Sequence, residues 1–194
     1  MIDIINAYII AGGKSIRFRS DKSLYEFNGK PLIKHVVDAV SPVFKSVSII
    51  SNDTEKFSFL GLNTIPDIIP DLGPIGGIYT ALTHSAGKSI FAFACDTPFI
   101  DKRFIEYMTL KIKGFDIIVP SISDRYEPLH TIYSSSCLPH ILKLINSGDR
   151  KIINFFDSMK LLKITEEEIR KFDPELKLFK NINYFEDIEK LGRA

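Results

Sequence analysis

The stretch IINAYIIAGGKSIRFRSDKSL, Ile4–Leu24, decides the fold class of this chain. Its first part, Ile4–Ile10, is predominantly apolar and is followed by the glycine pair Gly12-Gly13. A short apolar run that ends near glycine predicts a buried β-strand followed by a tight turn. Such a strand at the start of an alternating strand and helix pattern is typical of an α/β fold.

The turn after this strand predicts an anion site. Glycine backbone approaches a ligand closely, so the N–H groups of Gly12 and Gly13 can face phosphate oxygens. Arg17 and Lys22 add cations that can make charge-assisted hydrogen bonds to a triphosphate or pyrophosphate. The spacing matches neither GxGxxG nor GxxxxGK[ST]. The alternative interpretation is a tight turn followed by solvated basic residues.

The rest of the chain alternates apolar runs with segments of helical periodicity. The predicted strands are Ile4–Ile10, Ser46–Ser51, Asn63–Pro66, Ser89–Cys95, Phe115–Pro120 and Leu129–Tyr133. The predicted helices begin at Pro31, at Gly76, after the N-cap Asp101 and at Cys137. This order predicts a three-layer α/β/α sandwich with a mostly parallel, Rossmann-like sheet, in a single domain over residues 1–194. We expect the less regular part after about Asp124 to be partly antiparallel.

Composition narrows the class of partner. The 194 residues carry a net charge of +1, so the molecule as a whole does not attract nucleic acid or an anionic membrane. Two cysteines, Cys95 and Cys137, stand at no metal-like spacing and fit a reducing compartment better than a disulfide framework. No apolar stretch approaches the ~20 residues of a membrane span. We therefore expect a cytoplasmic protein with no nucleic acid and no membrane as partner.

Residues that directly follow the predicted strands are candidates for a site, because ligands of open parallel sheets lie outside the carboxyl ends of the strands. Asn52, Asp67 and Asp96 are among them. Asp96 follows the apolar run SIFAFAC and is well placed to hold Mg²⁺, which shares oxygen ligands with substrate phosphates. The alternative for Asp96 is a turn cap. The glycine-rich loop PDLGPIGGI, Pro70–Ile78, can press its backbone against a base or sugar, although alone it predicts only a turn.

Two asparagines near the end of the chain form a further candidate pair. Asn181 and Asn183 flank Ile182, so their side chains lie on the same side of an extended segment. The alternative for Asn183 is the N-cap of a last helix, because Glu186 completes a capping box with it. The four histidines form no metal-spaced pair, and no Ser/His/Asp arrangement is readable.

Several short motifs stand in a fixed order along the chain. They are IAGGKS followed by Arg17 and Asp21-Lys22, FNGKPL at Phe27–Leu32, GPIGGI at Gly73–Ile78, CDTPF at Cys95–Phe99, EPLH at Glu127–His130, GDR at Gly148–Arg150 and NINYFEDI from Asn181. In this order they resemble the molybdenum cofactor guanylyltransferase (MobA) family, whose members are nucleotidyltransferases of GT-A-like fold. The resemblance covers nearly the whole chain. One departure is Arg19, which stands where the family usually has glycine.

The resemblance implies a nucleotide-diphospho-sugar transferase-like fold and an Mg²⁺-dependent reaction. In that reaction GMP passes from GTP to the terminal phosphate of molybdopterin, and pyrophosphate leaves. The residues implied to bind the nucleotide are Ile10, Ala11, Gly12, Gly13, Lys22, Asn52, Asp67 and Asp96. Lys22, Arg17 and the metal ligand Asp96 are implied to be catalytic, and Asn181 and Asn183 to face the acceptor. Proteins of molybdenum cofactor insertion would be partners, and we expect a monomer.

Three alternatives remain open from the sequence. The first is a nucleotidyltransferase for another phosphorylated acceptor, such as cobinamide phosphate or a sugar phosphate. The second is an enzyme that uses CTP, since the residues alone do not fix guanine over cytosine. The third is a nucleotide-binding regulator without catalytic activity. The presence of both Asp96 and Lys22 argues against this last interpretation.

Overall fold

The computed structural model describes residues 1–12 and 22–182, and the apolar runs of this part form strands between helices. The strands are β1 (Ile5–Ile10), β2 (Glu26–Phe27), β3 (Lys30–Pro31), β4 (Val47–Ile50), β5 (Asn63–Ile65), β6 (Ser89–Ala94), β7 (Ile117–Ile122), β8 (Arg125–Tyr126), β9 (His130–Tyr133) and β10 (Leu161–Ile164). The α-helices are α1 (Leu32–Val40), α2 (Pro74–His84), α3 (Lys102–Thr109), α4 (Leu138–Asn146) and α5 (Glu166–Arg170).

The described residues form one large sheet of eight strands. Its order is β10-β7-β9-β6-β1-β4-β5, and β8 pairs with β7. β9 runs antiparallel to both of its neighbours and β8 runs antiparallel to β7, whereas the other pairs in this sheet are parallel. The prediction of a mostly parallel sheet with an antiparallel part late in the chain is therefore confirmed.

Helices cover both faces of this sheet. On one face, Val36 of α1 and Phe104 of α3 share a buried cluster with Phe93 of the central strand β6. On the other face, Ile78 of α2 and Ile141 of α4 belong to a second buried cluster, which also contains residues of β1, β4 and β6. Each helix thus buries one apolar stripe against the sheet, and the predicted three-layer sandwich is confirmed.

Several local elements differ from the prediction. Helix α2 begins at Pro74 rather than Gly76, because Gly73 adopts a φ of 68° and proline fits the first helical turn. Strand β10 and helix α5 were not predicted. Helix α5 has a capping box between Thr165 and Glu168 that is readable in the sequence. By contrast, the predicted N-cap Asp101 is present and accepts a hydrogen bond from the Arg103 N–H at 2.7 Å. In the described part of the chain, no helix is long and apolar enough to cross a membrane.

Candidate active site

Four neighbouring parallel strands place one candidate residue each at the same edge of the sheet. The partners in register across β5, β4, β1 and β6 are Ile65, Ile50, Ile10 and Ala94. The residues two positions further along each segment are Asp67, Asn52, Gly12 and Asp96. We call the edge of the sheet on which these residues lie the carboxyl edge. It brings together residues that are up to about ninety positions apart in sequence, because parallel strands end at a common edge.

Asn52 and Asp67 form a clasp between the ends of β4 and β5. The Asp67 N–H donates to Oδ1 of Asn52 at 2.9 Å, and Nδ2 of Asn52 donates to Oδ2 of Asp67 at 3.2 Å. The other carboxylate oxygen of Asp67 is buried and has no hydrogen-bond partner in the described part of the molecule. Burial raises the pKa of Asp67, partly offset by the bond from Asn52. An unsatisfied buried acceptor is costly, so this oxygen is suited to receive a donor from a ligand.

Gly12 lies directly against this clasp. A Cβ atom at position 12 would be 3.2 Å from Oδ2 of Asp67, which is closer than most side-chain contacts. Just before it, the Ala11 N–H donates to the Ile50 carbonyl at 2.9 Å and extends the pairing of β1 with β4. Glycine at position 12 therefore allows the end of the first strand to lie close to the Asp67 carboxylate.

Lys22 and Asp96 form an ion pair at the end of β6. Nζ of Lys22 lies 2.5 Å from Oδ2 of Asp96, and the two side chains are only 14% and 18% exposed. At low exposure a charge-assisted hydrogen bond of this length is strong and fixes both groups. The pair joins the segment after the first loop to the central strand. Two candidates that are far apart in sequence are thus in direct contact.

Asn181 reaches the same place from the end of the described chain. The Ile182 N–H donates to the Asp96 carbonyl at 3.2 Å. Ile182 itself is buried in a small cluster with Phe27 and Leu32. The bond and the cluster together hold the backbone beside Asn181 at the carboxyl edge.

The start of α2 packs tightly against β1. A Cβ atom at Gly77 would lie 2.7 Å from Cγ2 of Ile10, a distance that real Cβ atoms do not show. The loop before α2 is also tied from the other side, because Nη1 of Arg150 donates to the Asp71 carbonyl. Glycine at position 77 therefore permits the close approach of the helix N-terminus to the first strand. Helix N-termini favour anions, which suits a site for phosphates.

The residues at the end of β6 fit an Mg²⁺ ion. Among residues 1–12 and 22–182, no three His, Cys, Asp or Glu side chains form a metal cluster. Mg²⁺ in nucleotide enzymes is commonly held by one or two carboxylates together with substrate phosphates. Asp96 supplies such a carboxylate, whose Oδ2 accepts from Nζ of Lys22. Its neighbour Cys95 is half-buried, and burial raises the pKa of the thiol to about 12, as expected for an apolar filler.

Three predicted site residues lie outside the described part of the chain. They are Gly13, Arg17 and Asn183. The other predicted residues all lie along the carboxyl edge, in two groups. The group expected to bind the nucleotide, which we call the nucleotide group, contains Ile10, Ala11, Gly12, Asn52 and Asp67, and the central group contains Lys22, Asp96 and Asn181.

Comparison with known proteins identifies the family. Residues 7–163 match the model of the MobA-like NTP transferase domain. The chain belongs to the MobA-like NTP transferase family. The resemblance found from the motifs is thereby confirmed.

Relatives of this MobA-like NTP transferase cover it almost completely. The probable molybdenum cofactor guanylyltransferase of Natranaerobius thermophilus is 34% identical over 195 residues, which cover 97% of this chain and 95% of the relative. The crystal structure of molybdopterin-guanine dinucleotide biosynthesis protein A from Archaeoglobus fulgidus is similar with a TM-score of 0.82 and 28% identity, covering 96% of each chain. The structure of 4-diphosphocytidyl-2C-methyl-D-erythritolsynthase from Anaerococcus prevotii has a TM-score of 0.70 at 13% identity, covering 97% of this chain and 94% of its own. This last likeness shows the fold alone.

Two features of the carboxyl edge and its surroundings were not predicted from the sequence. One is the bond from Arg150 to the loop before α2. The GDR motif at Gly148–Arg150 contains Arg150, but the sequence does not indicate this contact. The other is the position of Glu127 at the carboxyl edge, described below. Glu127 belongs to the motif EPLH, but the resemblance of this motif to the family strand lies in its Pro-Leu part and does not include Glu127.

Proposed function

We propose that this protein transfers GMP from GTP to the terminal phosphate of molybdopterin, with release of pyrophosphate and Mg²⁺ as cofactor. The observation that carries the proposal is the Lys22–Asp96 ion pair at the centre of the carboxyl edge, next to the Asn52–Asp67 clasp. The pair offers a cation and a metal-binding carboxylate at one point, and the clasp offers acceptors for a base. The relative named as a probable molybdenum cofactor guanylyltransferase supports the choice of substrates.

The nucleotide end of the site is the clasp and the backbone before it. Guanine presents a ring N–H and an exocyclic amino group side by side, and a carboxylate can accept from both. Asp67 has one oxygen buried without a partner within the described residues. A donor from guanine would satisfy this oxygen and favour the ionised form of Asp67. Ala11 and Gly12 would contact the nucleotide through their backbone.

The transfer itself requires alignment and charge neutralisation. An oxygen of the acceptor phosphate forms a bond to the α-phosphorus of GTP, while the bond from that phosphorus to the pyrophosphate oxygen breaks and its electron pair leaves with pyrophosphate. The attacking phosphate is already anionic, so no general base is required. Lys22 would offset the charge on the phosphate oxygens, with Arg17 assisting. Mg²⁺ held by Asp96 would supply Lewis-acid stabilisation of the same charge.

The acceptor would approach from the side of Asn181. The Ile182 N–H donates to the Asp96 carbonyl, so the backbone beside Asn181 is held at the carboxyl edge, and the side chain of Asn181 would face the acceptor. Asn183 would face the acceptor as well. We further propose that the protein acts in the cytoplasm as a monomer and passes its product to proteins of molybdenum cofactor insertion.

A pyrophosphate-release assay tests the proposal. The wild-type protein is incubated with Mg²⁺ and with GTP, CTP or ATP, each against molybdopterin, cobinamide phosphate and a sugar phosphate. We expect rapid release only with GTP and molybdopterin, together with formation of the dinucleotide by mass spectrometry. Preference for CTP or for another acceptor would identify an alternative nucleotidyltransferase. No release with any pair would favour a regulatory nucleotide-binding protein.

A further inference from the structure

The turn between β8 and β9 lies at the carboxyl edge, although no predicted site residue belongs to it. Strand β9 runs antiparallel to β6, so β9 begins where β6 ends. His130 pairs with Phe93, and the Ala94 N–H donates to the Leu129 carbonyl at 3.0 Å. Glu127 stands two residues before Leu129, as Asp96 stands two residues after Ala94. A second carboxylate is therefore placed on the far side of β6 from the nucleotide group.

The backbone of Glu127 is held rigidly. Its N–H donates to the Pro120 carbonyl at 3.0 Å, which ties the turn to β7. Its own carbonyl accepts from the His130 N–H at 3.0 Å and from Oγ1 of Thr131 at 2.7 Å. Three hydrogen bonds at one residue fix its position, which is the property expected of a residue that must present a side chain accurately.

The carboxyl group of Glu127 lacks a partner despite this ordered backbone. The residue is half-buried, and its side chain accepts no hydrogen bond and forms no ion pair with the described part of the molecule. Burial alone raises the pKa of Glu127 to about 7. A carboxylate that is partly removed from water and unpaired is less stable than one that accepts hydrogen bonds. A ligand that donates hydrogen bonds would remove this cost.

The order of the strands places Glu127 on the opposite side of β6 from the Asn52–Asp67 clasp. Across the edge, the sequence of strands is β9, β6, β1, β4 and β5. The Asn52–Asp67 clasp lies at the β4–β5 end, the Lys22–Asp96 pair lies after β6, and Glu127 lies beyond it at β9. A nucleotide that extends from the clasp to the ion pair leaves the β9 side for the second substrate.

We propose that Glu127 determines acceptor specificity by accepting hydrogen bonds from adjacent N–H and amino groups on the heterocyclic ring of the acceptor. This inference rests on the proposed function, in which the acceptor carries a pterin. A pterin presents a ring N–H beside an exocyclic amino group, which is the same donor pair that guanine offers to Asp67. A carboxylate matches such a pair with two parallel bonds, as it matches a guanidinium group. In this proposal a half-buried carboxylate lies on either side of the Lys22–Asp96 pair, and the reacting phosphates bind between them.

The experiment is steady-state kinetics of dinucleotide formation with molybdopterin as the varied substrate. Glu127→Gln keeps the size of the side chain but removes its charge and replaces one acceptor oxygen with a donor. We expect the KM for molybdopterin to rise at least about 10-fold, because a hydrogen bond to a charged group contributes ~1.5–3 kcal/mol. The KM for GTP should stay within twofold of wild type, and Glu127→Asp should recover part of the loss. Asp124→Asn is the matched control, since Asp124 lies in the preceding turn between β7 and β8, is 94% exposed and pairs with Lys163.

The outcomes separate this inference from the proposed function. A wild-type protein that forms no dinucleotide from molybdopterin overturns both. A wild-type protein that forms it, with a Glu127→Gln variant whose molybdopterin KM lies within twofold, overturns only the role of Glu127. An equal rise in the KM values for GTP and molybdopterin would also contradict the inference, because it would place Glu127 in general site structure. Thermal unfolding of each variant confirms that the compared proteins are folded.

Discussion

The two halves of the carboxyl edge present their polar residues in opposite ways. On the parallel half, formed by β1, β4, β5 and β6, each candidate follows its strand by two positions beyond the last paired residue. On the antiparallel half, β9 runs the other way, and Glu127 precedes its strand. Strand direction therefore determines whether a site residue is found after or before an apolar run. A search that looks only after strands finds the residues of the parallel half and misses Glu127.

The largest expected effect is at the boundary between the two halves. Asp96→Asn removes the carboxylate that would hold Mg²⁺, while its amide still accepts from Lys22. We expect kcat to fall about 10²- to 10³-fold, because the charge on the reacting phosphates is then poorly offset. The measurement is pyrophosphate release at saturating GTP and molybdopterin, with circular dichroism as the check on folding.

Asp124→Asn is the control for this change, since it removes an exposed carboxylate from an ion pair with Lys163 that contains no predicted site residue. Near-normal turnover by Asp96→Asn would exclude Asp96 as the metal ligand. It would also mean that Asp96 does not provide a metal-binding carboxylate between the parallel and antiparallel halves of the edge.

The second effect concerns the cation that faces Asp96. Lys22→Met keeps the apolar stem but removes the charge. We expect kcat/KM for GTP to fall about 10- to 100-fold, since a charge-assisted bond to phosphate contributes ~1.5–3 kcal/mol. Lys45→Met is a matched control, because Lys45 pairs with Asp3 in an exposed salt bridge. Equal KM and kcat values in Lys22→Met and wild type would remove Lys22 from the site.

Much of the parallel half was predictable from the sequence for a physical reason. Apolar runs that are buried on both faces predict central strands, and the carboxyl ends of parallel strands meet at one edge. Asn52, Asp67 and Asp96 could be selected from these two facts alone. Their mutual contacts could not, because the clasp depends on the register between β4 and β5, which no periodicity encodes.

The antiparallel half was less predictable. The placement of Glu127 requires that β9 insert between β6 and β7 with reversed direction, and sequence order places it after β7. Similarly, strand β10, Leu161–Ile164, lies at the sheet edge and buries only Ile164 fully, so it lacks the pattern of a strand covered on both faces. The assignment of molybdopterin and GTP came from the motifs in combination, not from the chemistry of any single residue.

A third prediction tests how closely helix α2 packs against the parallel half. Gly77→Ala would place a Cβ 2.7 Å from Ile10, so α2 and β1 must separate. Overpacking of this kind typically costs ~1–3 kcal/mol of unfolding free energy. We expect a lower midpoint of urea denaturation and a raised KM for GTP, with little change in the KM for molybdopterin. Thr83→Ala, on the exposed side of α2, is the control. A Gly77→Ala variant as stable as wild type would show that the contact relaxes freely.

The smallest expected effect concerns His130, a buried residue of β9 in the antiparallel half. His130 on β9 is 3% exposed and lies among four aromatic rings, with centroid distances of 5.3–5.6 Å to Phe91, Phe93, Phe104 and Phe179. Its Nε2 has no hydrogen-bond partner in the described residues, and burial lowers the pKa of His130 from 6.5 to about 3. The imidazole is therefore buried in its neutral form.

The sign of the pH effect follows from this lowered pKa. Between pH 6.5 and about 3, the unfolded chain binds one proton at His130 that the folded chain does not bind. The stabilisation is complete above pH 6.5 and is lost by ~1.4 kcal/mol per pH unit as the pH falls. His130→Phe removes this titration and the unpaired nitrogen, so its unfolding free energy should fall less steeply between pH 6.5 and 5 in urea denaturation. His84→Gln, at the exposed end of α2, should keep the wild-type slope. Equal slopes in His130→Phe and wild type would mean that the acid sensitivity of the unfolding free energy does not arise from His130 on β9.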